Sequence, residues 1–90
     1  MGAGGGGSEP SYNNHVNRTF ADGAISVNPE IMGGSPVFTG TRVLVESLFH
    51  YLESGETINN FLEGFPTVTR EQATAAIQEA RNEYLRRIGD

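Results

Sequence analysis

The spacing of apolar residues changes character twice along this chain, and the changes divide it into elements. Ile25-Ser26-Val27-Asn28 alternates apolar and polar residue by residue, which marks a half-buried strand. Asn28-Pro29 ends it, because proline has no ladder donor. Val37-Phe38 is a second extended pair, placed to fold back across the Ile31 to Ser35 loop as a short hairpin with unpaired edges. The spacing then becomes helical. Leu44, Leu48 and Leu52 recur at i, i+4, with Val45 and Phe49 widening the stripe and Tyr51 extending it. A first helix is expected over Leu44 to Ser54, stopped by Gly55 as its left-handed terminal residue. Thr57 caps a short second helix that turns Ile58, Phe61 and Leu62 inward, and Gly64 with Pro66 closes it.

The longest helix opens at Thr69. Thr69-Arg70-Glu71-Gln72 is a capping box: the Thr69 hydroxyl accepts from the Gln72 amide while the Gln72 side chain returns to the Thr69 N–H. Glu71 in the first turn and Arg86 with Arg87 in the last complement the helix dipole. Ala73, Ile77, Ala80, Tyr84 and Ile88 form one stripe, the alanines permitting close approach of another helix, and Gly89 ends the run. The predicted fold class is mainly α: a three-helix domain preceded by a short β-hairpin. Its second helix, turn and third helix have helix-turn-helix proportions.

Between the hairpin strands and the first helix lies a dense run of turn residues. Gly33 and Gly34 can take positive φ without steric cost, so the chain can reverse there. Pro36 fixes its own φ and drives Ser35 to extended geometry, feeding the strand at Val37-Phe38. Gly40 permits a further tight turn, with Thr41 and Arg42 just ahead of the helix. The whole stretch from Ile25 to Leu48, with "NPEIMGG-PV--GTRV", the "LESGET" helix end and the "FPTVTRE" turn, resembles the domain-of-unknown-function 433 (DUF433) family. The resemblance runs from about Ile25 to about Tyr84. It implies a small winged or homeodomain-like helix-turn-helix domain of antitoxin type, with a PIN-like ribonuclease as the usual toxin.

Composition narrows the picture further. The first residues, MGAGGGGSEPSYNN, are glycine-rich and nearly free of apolar side chains, so they cannot bury enough surface to offset their ordering entropy. Residues 1–19 are therefore expected to be a flexible tail, its GGGGS run having linker composition, and residues 20–90 the folded domain. A core of that size is marginal, and small domains often gain stability by oligomerising. With an exposed hairpin edge and an alanine-lined helix, this predicts a homodimer. There is no cysteine, hence no disulfide framework and no thiolate metal site. No basic and apolar leader opens the chain and no apolar run is long enough for a bilayer, so a soluble, cytoplasmic protein with no membrane partner is expected. The formal net charge is −5, and every basic residue is an arginine. Such a chain has little general attraction for polyanions and suits a basic protein partner. A local arginine cluster could still bind operator DNA specifically.

The candidate DNA-reading surface is the start of the third helix: Thr69, Arg70, Gln72, Thr74 and Gln78, with Glu71 beside them and Gln72 partly committed to the cap. In helix-turn-helix proteins this part of the second helix of the motif faces base edges. Arginine can pair with guanine and glutamine with adenine. The alternative is a merely solvated face, since Glu71 repels phosphate and no lysine supports Arg70. Gly33, Gly34, Pro36, Gly40, Thr41 and Arg42 read as a structural turn motif. Within it Arg42 is expected to satisfy loop carbonyls or to pair with Glu46 rather than to bind a ligand. Glu46, His50 and Glu53 share one helix face, but three ligands on one helix make an incomplete metal or acid–base site. The glycines of GGSPVFTG match no phosphate-cradling motif. No nucleophile–base pair is evident, and neither an enzyme activity, a metal nor a cofactor is expected. Two functions remain: an antitoxin that masks a basic toxin and represses its own operon, or an adaptor that binds protein alone.

Overall fold

The computed structural model describes residues 17–89. The expected glycine-rich tail lies almost wholly outside these residues. The chain forms three short strands, β1 (Arg18–Phe20), β2 (Ile25–Val27) and β3 (Val37–Phe38), followed by helices α1 (Val45–Glu53), α2 (Ile58–Gly64) and α3 (Arg70–Gly89). The strands make one antiparallel sheet in the order β1-β2-β3. Phe20 and Phe38 both register against Ile25, from opposite sides. The hairpin of β2 and β3 was expected from the alternation of Ile25 to Asn28. Strand β1 was not, and it draws Arg18 and Thr19, read as tail, into the sheet.

The β1–β2 connection turns through three consecutive residues of positive φ, Ala21 (55°), Asp22 (57°) and Gly23 (91°). The Gly23 and Ala24 amides donate back to the Phe20 and Ala21 carbonyls at 3.1 Å each. The β2–β3 connection opens with an Asx turn, the Glu30 amide donating to the Asn28 Oδ1 at 2.8 Å. It closes through a single 3₁₀ turn, Met32–Gly34, where Gly33 and Gly34 take φ of 67° and 89°.

Helix α1 is built between main-chain stops. Leu44 offers it no side-chain cap; instead the first amide of the helix, that of Val45, donates to the Pro36 carbonyl at 3.0 Å. At its far end Gly55 has φ of 88°. Its amide donates to the Leu52 carbonyl at 3.1 Å and that of Glu56 to Tyr51 at 2.9 Å. These nested bonds are a Schellman stop. Helix α2 begins as its sequence requires, with the Thr57 hydroxyl accepting from the Asn60 amide at 3.0 Å.

The core lies where the sheet meets the three helices. Phe38, Phe61, Leu48 and Val37 are fully buried, joined by Val68, Ala73 and Ala76. Phe61 is its centre: it meets Phe38 at 5.9 Å, Tyr51 at 5.4 Å and Phe65 at 4.9 Å between ring centroids. Edge-to-face and tilted pairs of this kind add to simple burial. Helix α3 contributes only Ala73 and Ala76 to the buried set. Ala80 and every described residue after it are exposed, so the second half of the expected apolar stripe runs on past the body. No helix among the described residues is long and apolar enough to cross a membrane.

Candidate functional site

The turn between α2 and α3 is closed by the Phe65 amide donating to the Phe61 carbonyl and the Val68 amide donating to the Phe65 carbonyl, each at 3.0 Å. Val68 buries its side chain beneath the turn, and Thr69 then starts α3. The capping box forms in both directions: the Gln72 amide donates to the Thr69 hydroxyl at 3.0 Å, and the Thr69 amide donates to the Gln72 Oε1 at 3.0 Å.

Gln72 does more than cap. Its Nε2 donates to the Thr39 carbonyl at 3.0 Å, which ties the start of α3 to the loop after β3. Both ends of the Gln72 side chain are engaged, one N–H and one oxygen lone pair each being used, and the Thr69 hydroxyl accepts in the cap. Two of the five candidate DNA-reading residues are thus structural. The other three remain outward. Arg70, Thr74 and Gln78 are exposed and follow at i, i+4, i+8, with Arg81 continuing their line. Arg70 donates from its guanidinium to the Asn59 Oδ1 of α2, an orientation across the turn that no sequence spacing announced. Glu71 stands beside it, also exposed.

The loop that receives Gln72 is organised by threonines. Thr39 donates its hydroxyl to the Gly23 carbonyl at 2.6 Å and its amide to the Ala24 carbonyl at 3.0 Å. Thr41 donates its hydroxyl to the Phe38 carbonyl at 2.7 Å and accepts from the Val43 amide at 3.0 Å. Gly40, at φ of 83°, supplies the reversal between them. Arg42 takes no part. It is exposed and makes no side-chain hydrogen bond or ion pair among the described residues, because Thr41 has already satisfied the carbonyl that a structural arginine would seek. The expectation that Arg42 serves loop carbonyls or Glu46 is corrected accordingly.

Glu46 is instead held by His50, 3.2 Å away on the same exposed face of α1. Among the described residues no group of three or more carboxylate and histidine side chains is placed to hold a metal ion. His50, Glu56, Asn60 and Glu63 line an open basin of about 680 Å³ between α1 and α2. Its carboxylates give this side of the molecule a negative character opposite in sign to the Arg70–Arg81 line.

A small antiparallel sheet followed by three helices defines a mainly helical domain. Residues 25–80 match the family model described as "Protein of unknown function (DUF433)", and the chain belongs to that family. A solved structure of a DUF433 member protein from Anabaena variabilis ATCC 29413 shares the fold with a TM-score of 0.58 at 29% identity, over 71% of this chain and 65% of that one. An uncharacterized protein, y4eO, of Sinorhizobium fredii (strain NBRC 101917 / NGR234) is 32% identical over 62 residues, which is 69% of this chain and 28% of the relative. The chain therefore spans less than a third of that relative's length.

Proposed function

We propose that this chain is a non-enzymatic, cytoplasmic regulator of antitoxin type that binds a basic protein, a PIN-like ribonuclease by family resemblance, and reads operator DNA through α2, the turn and α3 as a helix-turn-helix. The observation that carries the reading is the outward face of α3. Arg70, Thr74, Gln78 and Arg81 stand in line on the side turned away from Ala73 and Ala76, at the end of the motif that enters a major groove in helix-turn-helix proteins. The masking half rests on charge: a chain of net charge −5, with Glu56 and Glu63 lining the basin between α1 and α2, complements a basic nuclease.

An adaptor that binds protein alone is the second reading. Three observations favour it: Gln72 is committed to Thr39, Arg70 is already engaged by Asn59, and Glu71 sits beside it.

Anisotropy titration against the chain's own upstream DNA, at two salt concentrations and with and without the co-purified partner, separates the two. The regulator binds with a steep salt dependence, and Arg70→Ala relaxes preference at one base pair per half-site by about 1–3 kcal/mol. Absence of any complex, with the partner present, leaves the adaptor. Glu56→Arg with Glu63→Arg should release the basic partner in either case; retention of the partner overturns the masking half.

A further inference from the structure

Arg70 stands in the first turn of α3, where the helix dipole disfavours a cation, so the stability of the helix gives no reason for an arginine there. Glu71 is its neighbour, yet Arg70 forms no ion pair among the described residues. Its guanidinium donates instead from Nη2 to the Asn59 Oδ1. The other arginine hydrogen bonds among the described residues stay within α3, Arg81 to Asn82 at 3.3 Å and Arg86 to Glu83 at 2.5 Å. That of Arg70 crosses the turn to α2. Asn59, for its part, is not needed by its own helix. The cap of α2 is made by Thr57 with Asn60, whose main-chain amide, Oδ1 and Nδ2 are bonded to Thr57 and Glu56. Asn59 is exposed, and among the described residues its side chain bonds to Arg70 only.

We infer that Asn59 is a positioning residue for Arg70: it holds the guanidinium in the orientation that reads a base, and does so without neutralising it. The inference rests on the operator-reading proposal above and names the residue that presents its arginine. An amide oxygen is a neutral acceptor. It fixes direction as a carboxylate would, but it leaves the positive charge uncancelled, where an ion pair with Glu71 would have paired it off. The count of donors allows both bonds at once. A guanidinium has five N–H groups; Asn59 takes one, and the O6 and N7 acceptors of a guanine take two more. An arginine free in solvent must give up its rotamer freedom on binding. One already held gives up less, and the difference appears as affinity for the base it meets. The engagement of Arg70 by Asn59, which under the adaptor reading is occupation, is preorganisation under the regulator reading.

Two measurements on the full chain test this, one in the free protein and one on DNA. NMR relaxation at the arginine Nε reports side-chain order on the ps–ns scale. Arg70 should be more ordered than Arg42, which has no side-chain partner among the described residues, and Asn59→Ala should remove the difference. On DNA, anisotropy titrations compare the chain's own upstream duplex with duplexes changed at the base pair whose preference Arg70→Ala relaxes. Asn59→Ala should lower discrimination at that base pair roughly two- to tenfold, the worth of one hydrogen bond, with an unchanged thermal melt. In an Arg70→Ala background it should cost no further discrimination. Asn59→Asp should keep Arg70 ordered but weaken binding to every duplex, because the charge is then paired. A wild type that forms no complex with its upstream DNA, or whose base preference Arg70→Ala leaves intact, overturns base reading by α3 and the inference with it. Discrimination lost in Arg70→Ala but kept in Asn59→Ala overturns the inference alone. So does an Arg70 as mobile as Arg42 in the free wild type, or an Asn59→Ala loss that persists without Arg70.

Discussion

Thr41 and Arg42 are neighbours with opposite claims on the structure. The Thr41 hydroxyl makes two bonds inside the turn, to the Phe38 carbonyl and from the Val43 amide, whereas the Arg42 guanidinium stands in solvent. Thr41→Val keeps the shape and removes both bonds, and should lower stability by about 1–3 kcal/mol, the cost of leaving partly buried polar groups unpaired. Arg42→Ala should stay within about 0.5 kcal/mol of wild type, as exposed substitutions without partners do. Chemical denaturation of the two variants checks both values. A larger loss in Arg42→Ala would return the arginine to a structural role. From sequence both residues belong to the structural turn motif, with the bonding to loop carbonyls expected of Arg42. An arginine advertises its donors by residue type, while the usefulness of a hydroxyl depends on which carbonyl the fold brings within reach.

Local signals were the most legible at the scale of elements. The capping box at Thr69, the cap at Thr57 and the stop at Gly55 are each written in a few adjacent residues, and each forms. Strand β1 is different. Arg18-Thr19-Phe20 has one apolar residue and follows a glycine-rich run, so its periodicity is too short to register. The turn signal Asp22-Gly23 was present all the same, since that dipeptide favours hairpin reversals. The start of α1 is legible to within one residue, at Leu44 against the observed Val45, but its cap is not: the first amide is satisfied by the Pro36 carbonyl, and a main-chain cap leaves no mark in residue type. For the candidate site, the exposure of Arg70, Thr74 and Gln78 followed from their helical phase. The engagement of Arg70 by Asn59 and of Gln72 by Thr39 did not, because both bonds join residues far apart in the chain. Gln72→Glu tests the division of labour on that side chain. It retains the acceptor for the Thr69 amide but sets a carboxylate against the Thr39 carbonyl, so the helix start should survive while stability falls by about 1–2 kcal/mol. Equal stability of Gln72→Glu and wild type, read from thermal melts, would mean the tie to Thr39 contributes nothing.

Seen whole, the molecule has two regions of very different support. The sheet, α1, α2 and the first half of α3 share the Phe61-centred core. The half of α3 from Ala80 onward rests on its own hydrogen bonds, and isolated helices of that length are marginal in water. Native-state hydrogen exchange on dilute protein should therefore show the amides beyond Ala80 opening locally, whereas those at Ala73 and Ala76 exchange only with global unfolding. Uniform protection along α3 at high dilution would contradict this division.

The bond from Gln72 to the Thr39 carbonyl also has a mechanical meaning. It sits near one end of a rod about 30 Å long, and an ångström-scale adjustment at a pivot is magnified along such an arm. A tilt of one degree at the Gln72 end displaces the Ile88 end by about 0.5 Å, from the length of a 20-residue helix. Slackening this one joint by about three degrees therefore carries the far end of the arm through about 1.5 Å. The loop after β3, remote from either end of the chain, sets the aim of everything that α3 touches.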